Sequence, residues 1–374
     1  MDTYTLHITG KHAIRLMRLA RRGDVVTAEP APGHMLEGFG KKPASLADLR
    51  MDDLVSALKI SEEDPLELLV PRDSSRLWSG ADISRLRTKL LSVALPSDSF
   101  LEVKAGKGPG AVQWAPETKI YITNPALESA YVAQAAKATQ TSDLRAFLRI
   151  LEFLDECCGT YVRDPSDPFA GTVTYDDRLE PTNFVTPQQV ISYLQEVKGI
   201  DGLPLARKAA RQAIDGSGSP METYLNHALV LPRKYAGLSM KRPLANKQLV
   251  LDEAHRRNLK HGTLRPDLQW PEYKVLAEYL GEAEHASRRA RVEDKNRMQD
   301  YASTPYTAFP LMFDDVKNAT ALNKTALMIG REFARHGAKN EPSRLKKLIT
   351  DQTFLANQRV LISVLLPPVK RYEQ

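Results

Sequence analysis

The sequence predicts an α/β protein: a C-terminal mixed sheet flanked by helices, preceded by an α+β N-terminal region. Three observations predict it. Over residues 1 to about 118, short apolar runs bounded by Pro and Gly alternate with stretches of helical spacing. From Pro220 onward the pattern reads helix, long loop, hairpin, helix, strand, helix. Finally, 374 residues exceed what one typical core fills, so the chain divides. Asp215-Gly216-Ser217-Gly218 is the clearest turn, and the principal boundary is expected between Val197 and Gly218. Residues 1–200 are read as an α+β recognition or regulatory region, 201–340 as the sheet domain, and 341–374 as a C-terminal extension.

Taken in order, Lys11 to Arg22 places Ile14, Leu16 and Met17 at helical spacing, and Ser45 to Leu58 repeats that style. Strands are expected at Leu66–Val70, Leu90–Leu95, Phe100–Val103 and Lys119–Ile122. The glycine-rich run from Lys104 to Gly110 lacks the phosphate-loop ending and reads as a hairpin or loop. Pro125–Lys137 and Asp143–Glu156 are expected as amphipathic helices. A polar connector spans Gly159–Thr186, and helical periodicity resumes in Pro187–Val197 and Pro204–Ile214. Pro220–Val230 aligns Met221, Leu225, Ala228 and Leu229 on one face. A basic loop from His255 to His261 leads into a hairpin over Arg265–Tyr279. Arg288–Tyr301 follows as a charged helix, Tyr306–Phe313 as a strand and Asp314–Arg335 as a helix. Val360–Leu366 reads as a packed strand or short helix.

Composition narrows the class. Apolar residues make up 42% and charged residues 26%, which excludes a disordered or membrane-embedded chain. The formal charge of +6 is compatible with an acidic partner such as nucleic acid. No segment approaches the roughly 18 apolar residues of a membrane helix, and the first residues lack a signal-peptide pattern. The only cysteines, Cys157 and Cys158, are adjacent, which excludes a disulfide framework and suits core packing in a reducing, cytoplasmic setting.

The hairpin carries the chemistry. Folding it about Glu272-Tyr273 sets Asp267 opposite Glu278, and directly opposed strand residues hold their Cβ atoms roughly 4.5–5.5 Å apart. Like charges so close repel, and a hard divalent cation held by carboxylate oxygens is the usual reason to build such a pair. The alternatives are an exposed strand carboxylate or a salt bridge from Asp267 to Arg265. Glu222, in Ser219-Pro220-Met221-Glu222, fits a helix-capping position by spacing alone. His285 lies just past the second strand, within reach of the carboxylates or simply solvated. Arg257 and Lys260 in the loop, Arg265 before the hairpin, and Arg288, Arg289, Lys295 and Arg297 on the next helix border either an anionic groove or a solvated charged face. Phosphate contacts from them give salt-sensitive, sequence-independent binding.

At these residues the chain resembles the very-short-patch-repair-like endonuclease family of the PD-(D/E)xK superfamily, in the versions found in actinobacterial antitoxin-like and abortive-infection-like proteins. The likeness rests on Ser219-Pro220-Met221-Glu222-Thr223, Arg265-Pro266-Asp267-Leu268-Gln269-Trp270-Pro271 and Ala277-Glu278-Tyr279-Leu280-Gly281, ordered across roughly residues 205 to 340. It implies a restriction-endonuclease-like sheet in 201–340 and metal-dependent hydrolysis of DNA phosphodiesters in a phage-defence or toxin–antitoxin setting. By the same likeness Asp267 and Glu278 bind Mg²⁺ or Mn²⁺, Glu222 is an active-site acid and His285 lies near the site. One departure matters. Leu280 stands where the superfamily often carries Lys and this family often Asp, which favours the alternative of an inactive DNA-binding or antitoxin-like regulator. A protein partner for the N-terminal region is a further expectation.

Overall fold

The computed structural model describes the chain apart from residues 1–2, 23–24, 41–45, 77–82, 109, 140, 164–183, 258, 261–262, 281–287 and 368–374. Its described residues form two units, one drawn from Met1–Cys157 and Val173–Ala213, the other from Cys158–Thr172 and Ile214–Gln374.

The first unit is built on a mixed six-stranded sheet. Its elements are β1 (Tyr4–Thr9), α1 (Lys11–Arg22), β2 (Val26–Pro30), α2 (Asp52–Leu58), β3 (Leu66–Val70), β4 (Leu86–Leu90), β5 (Phe100–Ala105), β6 (Thr118–Thr123), α3 (Pro125–Ala138), α4 (Asp143–Cys158), α5 (Pro187–Glu196) and α6 (Leu203–Ala210). The strand order is β2-β5-β6-β1-β3-β4; the β1/β6 and β3/β4 pairs are parallel and the others antiparallel. Central β1 is buried from Thr5 to Thr9. Buried on both faces, it lacks the clean alternation that a half-exposed strand shows, and sequence patterning passes over it.

One strand expectation is corrected. The expected strand at Leu90–Leu95 lies instead at Leu86–Leu90, pairing Leu66 with Leu86 through Val70 with Leu90. Its residues Leu-Arg-Thr-Lys-Leu form an edge with an exposed Arg87, whose charges suit an unpaired border. The more apolar run that follows makes no ladder beyond Leu91 N–H to Val70 O.

In the second unit α7 (Pro220–Val230) precedes β7 (Leu244–Ala245), a short α8 (Glu253–Arg256), β8 (Leu268–Trp270), a 3-10 turn at Pro271–Tyr273 and β9 (Val275–Tyr279). Then come α9 (Arg288–Ala302), β10 (Thr307–Leu311), α10 (Ala319–Arg335), α11 (Glu341–Ile349) and α12 (Gln352–Leu365). The sheet order is β10-β9-β8-β7, with β9/β10 parallel and the other pairs antiparallel. Val360–Leu366 is thus largely the end of a helix, and α10 begins only at Ala319, where Asn318 accepts a hydrogen bond from Ala321 N–H. The side chain of Asn at this position satisfies one of the helix's orphan donors.

The hairpin register decides where its side chains go. Leu268 pairs with Ala277, Gln269 with Leu276 and Trp270 with Val275. Opposed residues share a face, so Leu268, Trp270, Val275 and Ala277 form one side. There the indole of Trp270 meets Phe333 of α10 edge-on at 5.3 Å, and Tyr273 stacks on Phe333 at 4.2 Å. Leu276 lies on the other side, in a core cluster with Leu249, Leu251, Leu264 and Tyr301 of α9. A sheet covered by α9 on one face and α10 on the other is the arrangement that positions the site. No helix among the described residues is long and apolar enough to cross a membrane.

Candidate functional site

Continuing the ladder by one step sets Asp267 opposite Glu278, on the face covered by α9. The two carboxylates are interlocked through the backbone. Asp267 N–H donates to Glu278 Oε2 at 3.1 Å, and Tyr279 N–H donates to Asp267 Oδ2 at 2.7 Å. Side chains thereby take over the donors that further strand pairing would have used. Glu278 is only 2% exposed, and three donors surround it. Besides Asp267 N–H, Arg297 Nη1 donates to Oε1 at 2.6 Å and the Tyr301 hydroxyl to Oε2 at 3.1 Å. Arg297 and Tyr301 stand one helical turn apart on α9, which brings both to the same strand residue.

Glu222 joins from the first turn of α7. Ser219 Oγ accepts from Glu222 N–H at 3.1 Å, the expected cap. The Glu222 carboxylate does not close the box on Ser219. It reaches Gly218 N–H at 2.8 Å and Asn246 Nδ2 at 2.6 Å, both through Oε2. A Cβ on Gly218 would sit 3.0 Å from Glu222 Oε1, so the missing side chain makes room for this approach. Asn246 follows β7 in the left-handed region, at φ +50°. Its N–H donates to Asp267 O at 3.1 Å, and its amide also donates to Gly216 O at 3.2 Å. This one residue ties the α7 turn to the strand that bears Asp267. The sequence reading missed it, although Asn is the non-glycine residue that most readily takes this backbone region.

Electrostatics tie Asp267 and Glu222 together, with Glu278 as a neighbouring charge. Burial, followed by the charges of Glu222 and Glu278, holds the Asp267 carboxyl well above the ordinary range; Tyr279 N–H and Arg297 offset this in part. Burial raises the Glu222 carboxyl too, against the hydrogen bonds from Asn246, Gly218 and Ser219, with Glu278 adding repulsion. Asp267 and Glu222 therefore each hold a proton more tightly than an isolated carboxyl does.

The remaining expected residues are placed unevenly. His285 lies outside the described residues. Arg257, just past α8, pairs with Glu253 of that helix, and Lys260 Nζ donates to Asn296 at 3.1 Å and to Gln299, pinning the loop to α9. Arg265 and Lys295 are exposed. Arg288 and Arg289 open α9, while their side chains fall outside the described set. Arg297, expected at phosphates, is bound to Glu278 instead. Tyr301 and Gly218, like Asn246, were not anticipated.

Among the described residues, no group of three or more His, Cys, Asp or Glu side chains is arranged to hold a metal ion. Magnesium commonly binds through one or two carboxylates, keeping waters and substrate phosphates as its other ligands. Asp267 Oδ1 accepts no hydrogen bond from a described residue, whereas both Glu278 oxygens are engaged, so Glu278 could join an ion only by giving up Arg297 from Oε1. No family model, curated protein or solved structure matches this chain.

Proposed function

We propose that the second unit is a restriction-endonuclease-like domain that hydrolyses DNA phosphodiesters with Mg²⁺ or Mn²⁺. The observation that carries this reading is the convergence of Asp267 and Glu278 on neighbouring strands, with Glu222 of the preceding helix coupled to both. The order agrees with the motifs of the resemblance: a helix opening with Ser-Pro-Met-Glu, then the strand bearing Asp, then the strand bearing Glu.

Asp267 and Glu278 would hold the ion, whose chemistry is to activate water and neutralise charge building on the scissile phosphate. Glu222, positioned by Asn246 and Gly218, is the candidate acid–base group, since burial strengthens its hold on a proton relative to an ordinary carboxyl. Only if an incoming ion released it from Glu278 Oε1 would Arg297 supply the cation that Leu280 does not. Exposed Arg265 and Lys295 offer contacts to the DNA backbone.

Plasmid and linear DNA incubated with the full chain and Mg²⁺ or Mn²⁺ test this reading. Nicking that disappears in Asp267→Ala and Glu278→Ala, and with chelator, is the expected result. The second reading, an inactive DNA-binding or antitoxin-like regulator, is favoured by Leu280 and by the Arg297–Glu278 ion pair. Salt-sensitive DNA binding with no cleavage under either metal selects it and removes the hydrolase.

A further inference from the structure

A second surface in the same unit is independent of the carboxylate cluster. Along α10, Lys324, Leu327, Met328 and Arg331 occupy one stripe, spaced by three, one and three residues. Leu355 and Arg359 of α12 and Ile349 at the end of α11 face it across a groove of about 560 Å³. Leu327, Ile349 and Leu355 are half-buried, whereas Met328 is 46% exposed. Lys324, Arg331 and Arg359 are exposed on the rim, and none has a hydrogen bond or ion pair with a described residue. The lining contains no carboxylate.

We infer that this groove receives an acidic amphipathic helix from a partner protein. An apolar floor between helices with anchors about one turn apart is the receptor half of helix-in-groove recognition. A flexible, polarizable Met at its centre adapts to varied apolar side chains. Three unpaired cations around that floor repel one another until anionic groups enter, so the complementary ligand is acidic on its flanks. A nucleic-acid backbone satisfies the rim and leaves the apolar floor uncovered. A second copy of this chain, with its net charge of +6, brings the wrong sign on average. The inference does not rest on the endonuclease reading.

The test is a phage-displayed library of helical peptides, panned on the full chain. Selected peptides are then synthesised with a fluorophore and titrated by anisotropy. The expected consensus has apolar residues at i, i+3 or i+4 and i+7, flanked by Asp and Glu. The expected affinity falls with added salt, drops roughly tenfold or more in Lys324→Glu/Arg331→Glu/Arg359→Glu, and also drops in Met328→Asp. Circular dichroism melts check that these surface variants fold; if the triple variant does not, Met328→Asp and Arg359→Glu are read singly. Peptides without acidic bias, or affinity unmoved by these changes, overturn the inference. So does loss of labelled-DNA binding in the charge variants without any acidic peptide ligand, which makes the groove a nucleic-acid surface.

Discussion

Asn246 shows how much a single residue can carry. Its left-handed backbone, its N–H on the Asp267 carbonyl and its amide on Glu222 are three separate constraints. Asn246→Ala keeps the strained φ and leaves the Glu222 carboxylate with only the Gly218 N–H, so a loss of about 1–3 kcal/mol is expected in urea unfolding. Asn246→Gly removes the strain and loses only the amide, and is expected to be the milder change. A second buried acid, Glu128 of the first unit, accepts from Thr9 Oγ1 at 2.9 Å, Thr123 Oγ1 at 2.5 Å and Gly10 N–H at 3.1 Å, while its Oε1 has no partner. Burial pushes this carboxyl up to about 7. A raised folded-state value stabilises fully below the unfolded one, near 4.5, and that stability is lost as pH rises through 7. The loss is on the order of 3 kcal/mol. Glu128→Gln keeps the acceptor for both threonines and removes the titration. Its melting temperature is expected to match the parent at pH 4.5 and exceed it at pH 8; equal differences at both would refute the assignment.

Among the elements, the β8–turn–β9 hairpin was the most legible. Trp-Pro-Glu marks its bend, and the apolar runs on either side fix a register that the ladder reproduces. Trp270→Ala, which empties a fully buried site against Phe333, is expected to cost about 3–5 kcal/mol by denaturant titration. Helices with proline at the first position and a side-chain cap, such as α3, α5 and α7, were also readable, since both signals are local. What escaped depends on distant partners. β1 is flanked by strands from far along the chain, β4 is defined by its pairing with β3, and β7 has two residues. Within the site, what escaped depends on side-chain contacts, most of them distant. Asp267, Glu278 and Glu222 were visible as residues out of place in apolar or capping contexts, whereas Asn246, Gly218 and Tyr301 acquire meaning only through contacts across 24, 4 and 23 positions. Arg297 was visible as a charge, but its sequence did not disclose that it faces inward to Glu278.

For the molecule as a whole, the excess of positive charge is modest, and several cations expected at DNA are already engaged. Arg257 and Arg297 hold carboxylates and Lys260 holds two amide side chains. Arg265 and Lys295 have no partner among the described residues. On the proposed nucleic-acid function, each of Arg265→Ala and Lys295→Ala is expected to weaken DNA binding uniformly across sequences and to reduce the slope of log K against log salt by about 1. Arg257→Ala is expected to leave that slope unchanged, with nitrocellulose filter binding over a salt series as the measurement.

The bend at Pro271–Tyr273 has a consequence for how this chain tolerates change in length. Side chains alternate sides along a strand, so one residue inserted or deleted there, with β9 sliding by one place, would turn Glu278 toward α10 while Asp267 stayed beneath α9. Hydrogen-bonded sheet could re-form around such a slip, yet the acid pair would be parted by the thickness of the sheet. Drift in this three-residue bend is consequently confined to substitution: spelling can vary there, and counting cannot.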